Sequence, residues 1–287
     1  MHCKIKFLLA AGLIAAFCTT CSAQSSNDTL VLQDIQWNNE SHATSVEFNI
    51  PSSGSKLQGF IYKANGNQKH PTLLLLHGYP GNERNLDLAQ VVRSRGWNVI
   101  YFDYRGSWAS QGKFSFKNCV EDVVNVVSFC KKNANSLLID TSNIVLFGHS
   151  MGGWVCLKAL QQLPTVKKGF ALSTWDIYGE LKGIKTEEQL IARAKQGGEY
   201  FVLNSSIKEI FDPVYKNPAY FNLSNGAKAL AGKKIIMLDE HDQNKKIAED
   251  IKSANQSYFD YQVWQTDHPF TNKRVAVIKM VLEFLAK

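Results

Sequence analysis

The 287-residue sequence lacks an apolar run long enough to cross a bilayer. The run from Phe7 to Cys18 is about 12 residues, against roughly 20 for a spanning helix, so no stable membrane span is expected. Cysteine is also scarce, and three of the six, Cys3, Cys18 and Cys21, fall in the first 23 residues. The other three, Cys119, Cys130 and Cys156, are an odd number, each in a segment of helical apolar spacing. They read as small buried hydrophobes, not as a disulfide framework, although one pair remains possible. Charge of one sign is nowhere concentrated: the formal net charge is +7, falling to +5 without Lys4 and Lys6. The pairs Lys131/Lys132, Lys167/Lys168, Lys233/Lys234 and Lys245/Lys246 are dispersed, which speaks for solvated surface and against a nucleic-acid partner. Internal repeats and low-complexity tracts are missing as well.

What the N-terminus does have is the three-part layout of a secretory signal: Lys4 and Lys6, the apolar run, then small and polar residues ending at Cys21-Ser22-Ala23. Cleavage after Ala23 is expected, giving an exported protein, periplasmic or secreted. The alternative is a lipid anchor on Cys21, which Thr20 and Cys18 before it fit poorly. Residues 24–44 then form an N-terminal extension, and 45–287 a single domain.

In that domain short apolar runs alternate with helix-period stretches, the pattern of a mostly parallel sheet with helices on both faces. Ser45 to Ile50 and Leu57 to Tyr62 flank a turn cluster and read as an antiparallel edge pair. Thr72 to Leu76 reads as a strand buried on both faces, and Val99 to Phe102, Ile144 to Phe147, Phe170 to Leu172, Ile235 to Leu238 and Tyr258 to Trp264 as further strands. Helices are expected over Asn85 to Arg95, Cys119 to Cys130, Gly152 to Leu163 and Lys273 to Leu285, the second in spite of its many β-branched valines. Residues 175–232 break the rhythm. They are rich in aromatics and read as a helical lid insertion that includes Phe201 and Phe211.

The strongest local signal is Gly148-His149-Ser150-Met151-Gly152, between a strand and a helix. A sharp turn there exposes a serine oxygen and leaves no room for side chains on either side, so Ser150 is the candidate nucleophile. Such a serine needs a base and a carboxylate to orient it. His268, in the loop after the last strand, is the candidate base, with His241 a conceivable rival. Asp239-Glu240-His241-Asp242 follows the strand ending at Leu238 and offers the acids. Asp242 is chosen because it lies far enough past the strand to turn back, and Asp176 is the second choice. The same loop lacks a spaced metal-ligand pattern. The backbone N–H groups of Met151 and Tyr79 are the expected donors to an oxyanion.

The segments His77-Gly78-Tyr79-Pro80-Gly81, Asp103-Tyr104-Arg105-Gly106-Ser107, Gly148 to Gly152 and Asp267-His268, in this order, resemble the α/β-hydrolase superfamily. Within it the chain looks like the bacterial hydrolases related to the prolyl oligopeptidase family, over about residues 45–287. The resemblance implies a catalytic order Ser, Asp, His and supports Asp242. One departure is that Trp108 stands where a glycine is frequent. The expected activity is cleavage of a small-molecule carboxylic ester through an acyl-enzyme, with a short peptide or amide as the alternative substrate; no cofactor is implied. A non-catalytic binding protein on the same fold is the reading from another class.

Overall fold

The computed structural model describes residues 34–287 apart from 197, 199, 256 and 257. The expected signal segment, Cys21 included, lies outside the described residues. Eight strands form one sheet in the order β1-β2-β4-β3-β5-β6-β7-β8. These are β1 Thr44–Ser52, β2 Ser55–Lys63, β3 His70–Leu76, β4 Asn98–Phe102, β5 Ile139–His149, β6 Lys168–Leu172, β7 Lys234–Asp239 and β8 Tyr258–Val263. Among the strand pairs of this sheet in the described residues, β1/β2 and β2/β4 are antiparallel and the rest parallel. The β1–β2 hairpin closes through Ser53 and Gly54, both at positive φ (45° and 80°), the backbone that matches the twist of a two-residue hairpin.

The continuous apolar runs are explained by what lies on each face. On β3, Leu74 and Leu76 join one buried cluster and Leu73 and Leu75 the other; on β5, Ile144 and Leu146 part from Val145 and Phe147 in the same way. Because successive strand side chains point to opposite faces, both faces must be apolar when both are covered. One cover is made by α2 Phe116–Lys132 and α3 Met151–Gln162, the other by α1 Leu86–Ser94 and α9 Arg274–Ala286. Each fully buried Leu or Val contributes about 1.5–3 kcal/mol relative to exposure. That outweighs the few tenths of a kcal/mol by which valine disfavours a helix, so α2 forms with Val120, Val123, Val126 and Val127 buried. Its start is fixed by Ser115, whose hydroxyl accepts the Asn118 N–H.

Cys119, Cys130 and Cys156 are buried free thiols whose pKa burial pushes up, so they behave as the small hydrophobes expected. Between β6 and β7 the chain is helical: α4 Ile177–Leu181, α5 Glu187–Gln196, α6 Ile207–Lys216, α7 Pro218–Phe221 and a 3-10 stretch Leu223–Leu230. One more helix, α8 Lys245–Ala254, lies between β7 and β8.

Candidate active site

Ser150 sits at the junction of β5 and α3 with φ 59° and ψ −121°, a conformation that L-residues with a side chain adopt only under strain. The surroundings hold it there. Its N–H donates to the Leu172 carbonyl (2.9 Å) and its carbonyl accepts from Trp175 N–H (3.1 Å). A Cβ on Gly148 would come within 1.9 Å of the Gly152 carbonyl oxygen, and one on Gly152 within 2.0 Å of the Leu76 oxygen. The close packing that forces the turn therefore requires both glycines. Across the site a Cβ on Gly78 would stand 3.1 Å from the Ser150 Cβ, so the segment 77–81 passes directly over the serine.

His268 lies in the connection between β8 and α9. Its Nδ1 donates to Glu240 Oε1 at 2.8 Å. Ser173, at the end of β6, closes the arrangement: its hydroxyl donates to Glu240 Oε2 at 2.5 Å and stands 2.7 Å from His268 Nδ1. With Nδ1 bearing the proton, the Nε2 lone pair is left to accept one. Ser150, Ser173 and His268 line one cavity.

Among the described residues, the carboxylate that the structure places beside His268 and bonds to it is thus that of Glu240 and not the expected Asp242. Asp242 is exposed, and its backbone carbonyl accepts Lys245 N–H at 2.9 Å. The reason is where β7 ends. Asp239 is still paired with Val263 of β8; its buried carboxylate turns inward and accepts from Thr174 N–H and Asn244 Nδ2, each at 3.0 Å. The next residue emerges beside His268, and the longer glutamate side chain spans the gap without a further turn of chain. Asp176, the second choice, lines the cavity, but its carboxylate packs against the start of α4, with Oδ2 2.1 Å from where a Cβ on Gly179 would be. His241 is also in the lining, yet its Nε2 is 3.7 Å from Glu240 Oε1, too far for the hydrogen bond that His268 makes.

The family model described as serine aminopeptidase, S33, matches residues 67–195. Among curated proteins, the protein YfhR of Escherichia coli O157:H7 is 30% identical over 125 residues, 42% of either chain. The lysophosphatidylserine lipase ABHD12 of Danio rerio is 29% identical over 105 residues, 36% of this chain and 26% of that one. The chain thus spans less than half the length of these relatives. The Pyrococcus furiosus esterase Pf2001 superposes with a TM-score of 0.61 at 20% identity, over 85% of this chain and 93% of that one. The carboxylesterase EstE1 from a metagenomic library gives 0.65 at 15%, over 90% of each. The chain has the α/β-hydrolase fold, and within it residues 67–195 match the serine aminopeptidase model.

Electrostatics of the site follow from burial. Burial alone would raise the Glu240 carboxyl, but the hydrogen bonds from His268 and Ser173 overrule it and hold it at about 2. His149 is pulled down to about 4, chiefly by burial and then by the neighbouring His268. It stays neutral, 3.0 Å from the His268 carbonyl through Nε2. His77 is lowered to about 4 by burial, and its Nδ1 donates to the Gly78 carbonyl at 2.8 Å. Because the Gly78 C=O and the Tyr79 N–H share one planar peptide, that bond fixes the direction of the Tyr79 N–H. Neither the Tyr79 nor the Met151 N–H is taken up by another backbone group among the described residues.

The cavity has a volume of about 650 Å³, within the usual range for small-molecule sites. Tyr79, Trp175, Tyr200 and Phe211 make its aromatic wall, with ring centroids 5.3 to 6.3 Å apart among the contacting pairs. His241, Gln243 and Asn244 stand among its polar groups. Phe201, expected to belong with Phe211, is fully exposed and outside the lining. Sequence reasoning missed Ser173 altogether. A lone serine after a strand carries no motif, and only its φ of 48° and its contacts mark it.

Proposed function

We propose that this protein is an exported serine hydrolase that cleaves carboxylic esters through an acyl-enzyme, with Ser150 as nucleophile, His268 as base and Glu240 as the orienting acid. The observation that carries the reading is the bond to Glu240 from Nδ1 of His268, a residue that lines the same cavity as Ser150. Ser150 Oγ attacks the carbonyl carbon while His268 Nε2 takes its proton. The negative oxygen of the tetrahedral intermediate accepts from the Met151 and Tyr79 N–H groups, the former at the N-terminus of α3. The C–O bond then breaks, His268 returns the proton to the leaving alkoxide, and Glu240 stabilises the imidazolium in between. Water, deprotonated by His268, attacks the acyl carbon; the acid leaves and Ser150 regains its proton. Residues 175–232 act in this reading as a lid whose aromatic side receives the acyl group.

The names of the similar proteins, an esterase, a carboxylesterase and a lipase, favour an ester. The description of the matching family model favours a peptide amide as the second reading. Export rests on the N-terminal pattern and is checked by the intact mass of the mature protein, expected to begin at Gln24 without a diacylglycerol on Cys21. The activity is checked by labelling with a fluorophosphonate probe and by a panel of p-nitrophenyl esters and aminoacyl anilides. Labelling lost in Ser150→Ala and His268→Ala, with turnover of esters, is the expected result. A folded protein that neither labels nor turns over any member of the panel refutes the reading in favour of a non-catalytic binding protein.

A further inference from the structure

Trp108 occupies a position that the triad does not explain. It follows β4 in a segment anchored from below by Arg105, whose Nε donates to the buried carboxylate of Asp122 at 2.5 Å and whose N–H donates to the same group at 2.8 Å. From this base Trp108 reaches in two directions. Its indole Nε1 donates to the Pro80 carbonyl at 2.9 Å, and its backbone N–H donates to the Val202 carbonyl at 2.7 Å. The Arg84 guanidinium lies over the indole, 4.8 Å from the ring centroid, and over Tyr101 at 5.1 Å. The same guanidinium pairs with Asp103 at 3.9 Å. Gly81 is pinched between: a Cβ there would lie 2.6 Å from Trp108 Nε1 and 2.7 Å from His77 Nδ1.

Tyr79 is therefore bracketed. The peptide carrying its N–H is fixed by His77, and the carbonyl of the residue after it by Trp108. The contact to Val202 is not isolated, since Ser107 bridges Leu203 and Asn204 N–H donates to the Gly106 carbonyl at 2.6 Å. We infer that Trp108 is a positioning residue, resting on the function proposed above: it holds the segment 77–81 so that the Tyr79 N–H faces the developing oxyanion, and it ties that donor to residues 202–204 of the insertion. A glycine at this position would supply neither the indole donor nor the surface beneath Arg84.

The test is Trp108→Phe, which keeps an aromatic face for Arg84 and removes the N–H, with Trp108→Ala as the larger perturbation. Hydrogen exchange of the amides in 77–84 and 200–205 should quicken about tenfold in Trp108→Phe while β5 is unchanged. For a p-nitrophenyl ester kcat should fall about tenfold at unchanged KM, because a misdirected donor weakens only the transition state. The affinity for an aryl trifluoromethyl ketone, which presents an oxyanion on addition of the serine, should fall by the same factor. A merely structural role would lower Tm in both variants and leave kcat and the ketone affinity alone, which overturns the proposal. So does unchanged exchange in 77–84. Faster exchange in Trp108→Phe together with a wild type that turns over no ester or amide upholds the pin and refutes the function on which its catalytic part rests.

Discussion

Replacing Glu240 by Gln removes the charge beside His268 and keeps the side chain's length. In the folded protein the carboxyl falls from an ordinary 4.5 to about 2, against a burial effect that pushes it the other way. At about 1.36 kcal/mol for each pH unit, the ionised form is favoured by about 3 kcal/mol. His268 and Ser173 are the first two partners responsible. Those bonds are already made in the resting protein, whereas in the proposed mechanism the imidazolium exists only while Ser150 attacks or the leaving group departs, so losing the charge beside it raises the transition state and leaves substrate binding alone. Glu240→Gln should therefore lower kcat for an ester on the order of 10²-fold with KM within about threefold. Asp242→Asn should stay within about twofold of wild type, since its side chain reaches nothing in the cavity. The sign with respect to pH is also fixed. A depressed carboxyl contributes stability above 4.5 that is lost as the pH falls towards 2, so the acid loss of activity above pH 4 cannot come from Glu240 and must persist in shape in the variant. Steady-state kinetics of both variants between pH 4 and 9, on protein shown to be folded by circular dichroism, decide the matter. If Asp242→Asn costs as much as Glu240→Gln, or Glu240→Gln costs less than about threefold, the assignment of the acid is wrong.

Ser173→Ala removes one donor to Glu240 and should lower kcat about three- to tenfold with Tm nearly unchanged, an effect worth about 1 kcal/mol; no change in kcat would make Ser173 a bystander. Asp239 is raised by burial to about 6, so its favourable contribution is present below an ordinary 3.8 and lost as the pH rises through about 6. Urea unfolding at pH 4 and pH 7 should show the wild type losing about 3 kcal/mol more over that interval than Asp239→Asn, and equal losses would contradict the cause given. Gly152→Ala puts a methyl group 2.0 Å from the Leu76 oxygen and should lower stability by about 3 kcal/mol or prevent folding, read as Tm and soluble yield. Phe211→Ala should reorder a series of p-nitrophenyl esters of increasing acyl length, whereas the exposed Phe201→Ala should leave the order as it is; the same reordering in both would remove the aromatic wall as a determinant.

Much of the fold was readable because each strand carries its own explanation in its pattern. Leu73 to Leu76 is apolar at every position because helices cover both faces, and no other placement in a sheet tolerates that. The edge pair was readable because Ser53-Gly54 is a turn in any context. The ends were less legible: β5 begins at Ile139, although Thr141 to Asn143 look like turn residues, since pairing with His70 and its neighbours decides the matter. In the site, the proposed nucleophile and base announce themselves by local chain geometry. The acid does not, because four polar residues follow β7 and only the register with β8 says which of them still belongs to the sheet.

That register also explains why the proposed acid is a glutamate. Asp239, the last residue of β7, is committed to holding Thr174 and Asn244, and so fixes the loop after β6 that carries Ser173 and Trp175. Trp175 in turn donates to the Ser150 carbonyl. The two neighbouring carboxylates thus divide the work, one shaping the turn around the nucleophile and one facing the base. Their environments push their pKa values in opposite directions, to about 6 and about 2. An aspartate in place of Glu240 would lack the methylene that carries the carboxylate from the strand end to His268. Glu240→Asp should accordingly lose more of its activity than a conservative change suggests, about tenfold or more in kcat, because the bond that holds the imidazole would be stretched or lost.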